Sequence, residues 1–152
     1  MRIVPASLDD LASIESLRLA LWPDSSIDEL TILAPDMIGA EPSYLVLIAC
    51  ADGDEPIGFA EVTLRRDYVN GCDGSPVAFL EGIYVAPGHR RQGVARALVE
   101  EAKRWGGARG AAELASDALL DNLSSHAFHS AIGFEETERV VYFRRMIDGA
   151  AA

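Results

Sequence analysis

The segment Arg90-Arg91-Gln92-Gly93-Val94-Ala95 is where residue types and spacing most plainly promise chemistry. It lies between an apolar stretch and a run with helical periodicity, and so reads as strand, tight basic turn and helix start. A helix N-terminus offers unpaired N–H groups and about half a positive charge, which makes it an anion cradle. Gly93 lets backbone approach such a ligand without a Cβ, and Ala95 keeps the next turn small. A loop that merely starts a helix is the alternative. The sequence contains neither Gly-x-x-x-x-Gly-Lys-Ser/Thr nor Gly-x-Gly-x-x-Gly, so neither a P-loop nor a Rossmann dinucleotide fingerprint is expected. Cys50 and Cys72 form no ligand pattern, and His89, His126 and His129 do not cluster with Cys or Asp, so no metal is expected.

The 152 residues hold 13 Lys+Arg against 24 Asp+Glu, a formal net charge of -11. Nucleic acid and anionic membrane both reward basic surface, so neither is expected as the main partner. The charge is uneven. Residues 86–110 carry six basic side chains against Glu100 and Glu101, a balance of +4 that leaves -15 elsewhere. Residues 1–55 hold eleven acids against Arg2 and Arg18, a balance of -9. Such a split implies one region for an anion and another for a cation; ordinary solvated faces are the plainer alternative. The longest apolar run, Tyr44 to Ala51, is too short to span a bilayer, and no basic–apolar leader opens the chain. With two cysteines and no disulfide framework, the expectation is a cytoplasmic protein. At 49% hydrophobic residues it can bury a core. One domain over residues 1–147 with a small-residue tail at 148–152 accounts for the length.

The elements that must position these residues follow from periodicity. Ile3-Val4 reads as a short strand, and Ser7 caps a helix carrying Leu8, Leu11, Ile14 and Leu17 up to Trp22-Pro23. Ser25 or Ser26 opens a second helix through Ile27, Leu30, Leu33 and Met37, with Pro35 implying a kink or break. Tyr44–Ala51 and Ile57–Arg65 form a hairpin, residues 66–76 a loop, and Val77–Val85 a further strand. The helix from Val94 is expected to end at Gly106-Gly107. Ala111–Asp117 then reads as strand, Asn122–Ala131 as helix and Phe134–Met146 as a final strand. The order βααβββαβαβ is an α/β (α+β) arrangement, a mixed sheet with helices on it.

Arg90-x-x-Gly93-x-Ala95, preceded by Leu80-Glu-Gly-Ile-Tyr-Val-Ala-Pro87, resembles the acetyl-CoA motif of the GNAT N-acetyltransferases. Asn122-Leu-Ser-Ser-His-Ala-Phe-His-Ser-Ala-Ile-Gly-Phe134 resembles that family's late helix and following strand. The resemblance covers most of residues 77–147. It implies a GNAT-type, mostly antiparallel sheet with splayed central strands and flanking helices, and acetyl-CoA as co-substrate. Backbone N–H groups of Arg90, Arg91, Gln92, Gly93, Val94 and Ala95 would hold the pyrophosphate. The Ile83, Tyr84, Val85 edge would hydrogen-bond the pantetheine arm, and Asn122 would contact the cofactor from the other side. The pattern breaks at His129, where many members carry a Tyr that serves the departing thiolate. On an apolar helix position His129 reads first as a packed, hydrogen-bonded residue.

Acetylating an amine needs a group to take its proton, and carboxylates also recruit a cation. Glu81 and Asp117 lie on neighbouring strands beside the expected cofactor edge, although strand-end acids are often exposed turn residues. Trp22-Pro23, Phe79–Val85, Ser116-Asp117 and Gly133–Val140 make the chain similar to the aminoglycoside 6'-N-acetyltransferases within GNAT. In that subgroup the matching positions imply that Trp22, Tyr68, Glu81, Asp117 and Glu138 line the drug site. Asp117 and Glu81 would hold or deprotonate the amine, and Trp22 and Tyr68 would pack on the rings. Trp22 also reads as a staple under the first helix, Tyr68 as a mobile loop residue and Glu138 as an exposed strand acid. A polyamine, a small metabolite or a protein N-terminus are alternative acceptors, and an acyl-CoA-binding regulator is the non-enzymatic one. The apolar run Val140–Phe143 would be hazardous as a bare edge, so a homodimer through C-terminal strands is expected, with Glu138 serving its own or the neighbouring subunit.

Overall fold

Leu45–Cys50 is buried at every position, as in a strand covered on both sides. In the computed structural model, which describes residues 1–24, 38–39 and 43–149, this run belongs to strand β2 (Tyr44–Cys50) of a five-stranded sheet. The other strands of the sheet are β1 (Arg2–Pro5), β3 (Pro56–Arg65), β4 (Val77–Val85) and β5 (Leu114–Ser116). Strand order follows chain order. β1 to β4 pair antiparallel, and β5 runs parallel to β4. Among the described residues three helices flank the sheet: α1 (Leu11–Leu21), α2 (Val94–Ala108) and α3 (Leu123–Ala131). The expected helix through Ile27 and Met37 lies outside the described residues.

The two sheet faces form separate cores. Leu45, Leu47, Ala49, Ala60, Val62 and Leu80 pack against Val94, Leu98, Ala102 and Trp105 of α2, whose spacing is the apolar stripe of an amphipathic helix. Val46, Ile48, Cys50 and Phe59 pack on the other face against Ile14 and Leu17 of α1. A 3-10 turn at Leu8–Asp10 leads into α1, with the Asp10 carboxylate accepting from the Ser7 N–H at 2.8 Å. Trp22 closes that helix, its N–H donating to the Arg18 carbonyl at 2.8 Å.

Three expectations change. The glycine pair does not end α2, which runs to Ala108. A Cβ on Gly106 would lie 2.7 Å from the Ala78 Cβ, so this glycine is there to let helix and sheet approach closely. β5 is shorter than expected because only Leu114–Ser116 pairs with β4. Residues 134–147 form no strand: they have no ladder partner among the described residues, and Val141, Tyr142, Phe143 and Ile147 are exposed.

One irregularity shapes the rest. Val62 pairs with Leu80 and Glu61 with Gly82, so Glu81 is the extra residue of a β-bulge in β4. The bulge shifts the alternation of side chains. Leu80, Ile83 and Val85 pack on the α2 face, whereas Gly82 lies under Trp22 and Tyr84 joins the α1-face core. The β4–β5 ladder ends at Leu80↔Ser116, immediately before it. The central strands therefore part at Glu81.

Candidate active site

The anion cradle begins beyond the parted edge. After β4 the chain makes a 3-10 turn, Pro87–His89, and reaches α2 through Arg91 at φ +57° and Gly93 at φ +84°. Left-handed residues of this kind curl the backbone into an anion-binding concavity. Gly93 is the N-cap of α2, no side chain caps that end, and no acid occupies the first turn. Among the described residues nothing lies within 4 Å of where a Gly93 Cβ would be, so the glycine's own face is uncovered. Arg90 braces the turn. Its Nε donates to the Val85 carbonyl at 2.8 Å and its guanidinium lies 5.5 Å from the Tyr84 ring centroid. The Gln92 amide donates to the Gly88 carbonyl at 3.1 Å. Val94 is buried and anchors the helix start in the core, with Ala95 packed beside it. Uncapped N–H groups, an uncovered glycine and nearby arginines suit a diphosphate.

The acids stand at the fork between β4 and β5. Because Leu80 pairs with Ser116 in parallel register, Glu81 is the next residue of β4 and Asp117 is the first residue past β5. Asp117 is exposed, and Glu81 is partly buried. Beyond the fork, β4 pairs only with β3, through Ile83, Tyr84 and Val85, so its other edge has no ladder partner among the described residues. Trp22 is wedged over this region. Its ring meets Phe59 edge-on at 6.2 Å, and its Cη2 and Cζ2 atoms come within 2.6 and 2.7 Å of where a Gly82 Cβ would be. Trp22 therefore packs as a staple at the end of α1, directly over the strand at the fork.

Tyr68 is 77% exposed on a loop that is itself tied down. Val69 is buried against Val77 and Phe79. The Glu113 carboxylate accepts from the Asp73 N–H at 3.0 Å and the Gly74 N–H at 2.7 Å. A Cβ on Gly71, at φ +77°, would clash with Thr137 Oγ1 and lie 3.6 Å from the Glu138 Cβ, which puts Glu138 beside this loop of its own chain.

His129 is a bridge. Its Nδ1 donates to the Ser125 carbonyl at 2.7 Å, its Nε2 lies 2.9 Å from the Ser116 hydroxyl, and Ser116 Oγ reaches the Leu80 carbonyl at 3.2 Å. The carbonyl contact requires the Nδ1 proton. The chain of contacts ties α3 to β5 and to the last residue of β4 that pairs with β5. Asn122 is the N-cap of α3, its Oδ1 accepting from the Ser125 N–H at 3.2 Å.

Sequence reasoning missed a buried pair behind the site. Arg18 Nε and Glu61 Oε1 are 2.6 Å apart, with side chains 4% and 3% exposed. Burial pushes the Glu61 carboxyl up to about 7; Arg18 opposes this and the charge of Glu81 adds to it. The Arg18 guanidinium also lies 5.7 Å from the Trp22 ring centroid. The available signal was Glu61, Thr63 and Arg65 alternating with apolar residues in β3, which puts three polar side chains on one face. Among the described residues no three His, Cys, Asp or Glu side chains gather as a metal site, and no helix is long and apolar enough to cross a membrane.

Residues 8–134 match the model of the acetyltransferase (GNAT) family. The chain belongs to that family. It is therefore an acetyl-CoA-dependent acetyltransferase with the GNAT fold. It is 49% identical over 144 residues to an aminoglycoside N(6')-acetyltransferase type 1 of Stenotrophomonas maltophilia, covering 93% of this chain and 91% of that one. The crystal structure of an aminoglycoside antibiotic 6'-N-acetyltransferase from Acinetobacter haemolyticus superposes with a TM-score of 0.89 at 47% identity, over 97% of this chain and 100% of that one. AAC(6')-Iy, solved with the bisubstrate analogue CoA-S-monomethyl-acetylneamine, gives a TM-score of 0.90 at 41% identity, over 96% of this chain and 98% of that one.

Proposed function

We propose that this chain transfers the acetyl group of acetyl-CoA to the 6'-amine of an aminoglycoside, by direct attack in a ternary complex. The observation that carries the reading is the fork at Glu81: an acid follows the last paired residue of each strand where β4 and β5 part, with an uncapped helix end beyond β4. Relatives at this identity and coverage are aminoglycoside N(6')-acetyltransferases. Acetyl-CoA supplies an acyl thioester whose thiolate, with a parent thiol pKa near ~8.5, leaves tolerably at neutral pH. The turn at residues 90–95 grips the diphosphate, with Asn122 on the far side. The open edge at Ile83–Val85 hydrogen-bonds the pantetheine arm and points an N–H at the carbonyl oxygen. Asp117 takes the proton of the attacking amine, and Glu81 holds the ammonium before it is deprotonated. Trp22 and Tyr68 pack on the sugar rings, and Glu138 extends the acidic wall. The acids select while the overall charge only speeds capture: an ion pair at ~4 Å is worth about 1 kcal/mol in water and about 4 at an effective dielectric near 20.

Two further parts belong to this reading. Residues 140–143 pair with a second copy of the chain, which covers an exposed apolar run and supplies its missing ladder. The reaction runs in the cytoplasm, where acetyl-CoA is made and cysteines stay reduced.

Thiol release from acetyl-CoA with kanamycin, spermidine and an N-terminal peptide in parallel tests the acceptor. Kanamycin is expected to be the preferred one. Preference for spermidine or the peptide rejects the aminoglycoside reading, and CoA binding without turnover on any acceptor points to a regulator. Asp117→Asn is expected to lower kcat by at least ~10²; near-unchanged kinetics would remove its role.

A further inference from the structure

We propose that Thr63 and Arg65 are positioning residues that present Glu81 to the acceptor amine through a single oxygen. The inference rests on Glu81 being the acid that receives the amine. Both hydrogen bonds to this carboxylate end on the same atom: the Thr63 hydroxyl donates to Oε1 at 2.6 Å and Arg65 Nη2 donates to it at 2.7 Å. Among the described residues Oε2 carries no hydrogen bond. A free glutamate turns its carboxylate readily about the last torsion, which is broad and roughly two-fold. Two donors on one oxygen, one of them charged, fix that torsion and leave Oε2 to the ligand.

The donors are themselves held. Thr63 sits in β3 opposite Phe79, and Arg65 lies two residues on along the same face. The Arg65 guanidinium stacks on the Phe79 ring, 3.5 Å from its centroid, and Phe79 is nearly buried. The cation therefore has a seat independent of Glu81. Glu81 is the extra residue of the bulge, and its backbone lacks the direct cross-strand partner that would set a regular strand residue. The Thr63 and Arg65 bonds replace that missing constraint.

A fixed cation beside the acid opposes the arriving ammonium, so the device favours orientation over raw attraction. Its loss is thus expected in turnover and not in capture. Misplacing a reacting group by about 1 Å can cost on the order of 10² in rate. Losing a hydrogen bond to a charged group costs about tenfold or more.

The experiment measures kcat and KM for kanamycin and for acetyl-CoA in Thr63→Val and Arg65→Met, each alone and combined with Glu81→Gln. Each single variant is expected to lose about tenfold in kcat, with KM for kanamycin unchanged or lower and KM for acetyl-CoA unchanged. In the Glu81→Gln background the same changes are expected to act by less than about twofold, because there is no carboxylate left to aim. Thr63→Ser keeps the donor and is expected to restore most of what Thr63→Val loses, which separates positioning from a packing defect. Full additivity in the Glu81→Gln background overturns the inference, as does wild-type turnover in both single variants while Glu81→Gln is impaired. Wild-type kinetics for Glu81→Gln itself overturns the reading of Glu81 on which the inference rests, and the inference with it.

Discussion

Replacing Gly82 with alanine tests how the aromatic wall is seated. The added Cβ would lie 2.6 Å from Trp22 Cη2, 2.7 Å from Cζ2 and 3.2 Å from Leu21 Cδ2. Carbon atoms rest about 3.5–4.0 Å apart, so the indole must move by about 1 Å or more. It has little freedom to do so, with the Phe59 ring meeting it edge-on at 6.2 Å and the Arg18 guanidinium 5.7 Å from its centroid. Overpacking of this kind costs about 1–3 kcal/mol. At this chain length that lowers Tm by about 2–12 °C. The same motion would shift the ring proposed to line the acceptor site, so KM for kanamycin is expected to rise while KM for acetyl-CoA holds. Thermal melts and steady-state kinetics of Gly82→Ala, Trp22→Ala and the double variant supply the test. With the indole removed, the alanine is expected to cost less than about a third of its effect in the wild-type background. An unchanged Tm and KM in Gly82→Ala, or full additivity in the double variant, would refute the contact and the wall together.

The Glu61 carboxyl titrates near 7 in the folded chain against an ordinary value of 4.5, so the folded state binds this proton more tightly. Its contribution to stability is present in full below about pH 4.5 and is lost as the pH rises through 7, a change on the order of 3 kcal/mol. Urea midpoints between pH 5 and 8 are expected to fall more steeply in the wild type than in an Arg18→Met, Glu61→Leu double variant; equal slopes would discount the pair. His129→Phe breaks the bridge from α3 to β5 and is expected to lower stability by about 1–3 kcal/mol while kcat stays within a few-fold. A loss of ~10² in kcat at saturating substrates would instead make His129 a proton donor. Val141→Asp with Phe143→Asp is expected to turn a dimer into a monomer by light scattering at micromolar concentration. A wild type that is already monomeric at that concentration would remove the dimer.

What the sequence made legible was set by local period and by single residues with few possible uses. The α2 stripe, the β2–β3 hairpin and the cradle at Gly93 all follow from patterns within a dozen residues. Glu81 and Asp117 could be placed on adjoining strands, but not the bulge beneath Glu81, because a bulge is a property of two strands in register. Thr63 and Arg65 stayed hidden for the same reason: their partner is across the ladder. The Arg18–Glu61 pair joins a helix to a strand more than forty residues away, and neither residue looks unusual alone. Gly106-Gly107 misled because glycine near a helix end usually signals a stop, whereas here the close approach of Ala78 sets the requirement. The apolar pattern after Phe134 states what a strand would bury; it cannot supply the neighbouring strand.

The extra residue in β4 puts a fault line in the sheet at the acid proposed to receive the amine. Deleting one residue there would let the ladder zip onward, improve backbone pairing and extinguish catalysis in the same stroke. Directed evolution for heat tolerance alone therefore has an easy downhill path that erases the enzyme, and selections on this scaffold need to screen for turnover at every round.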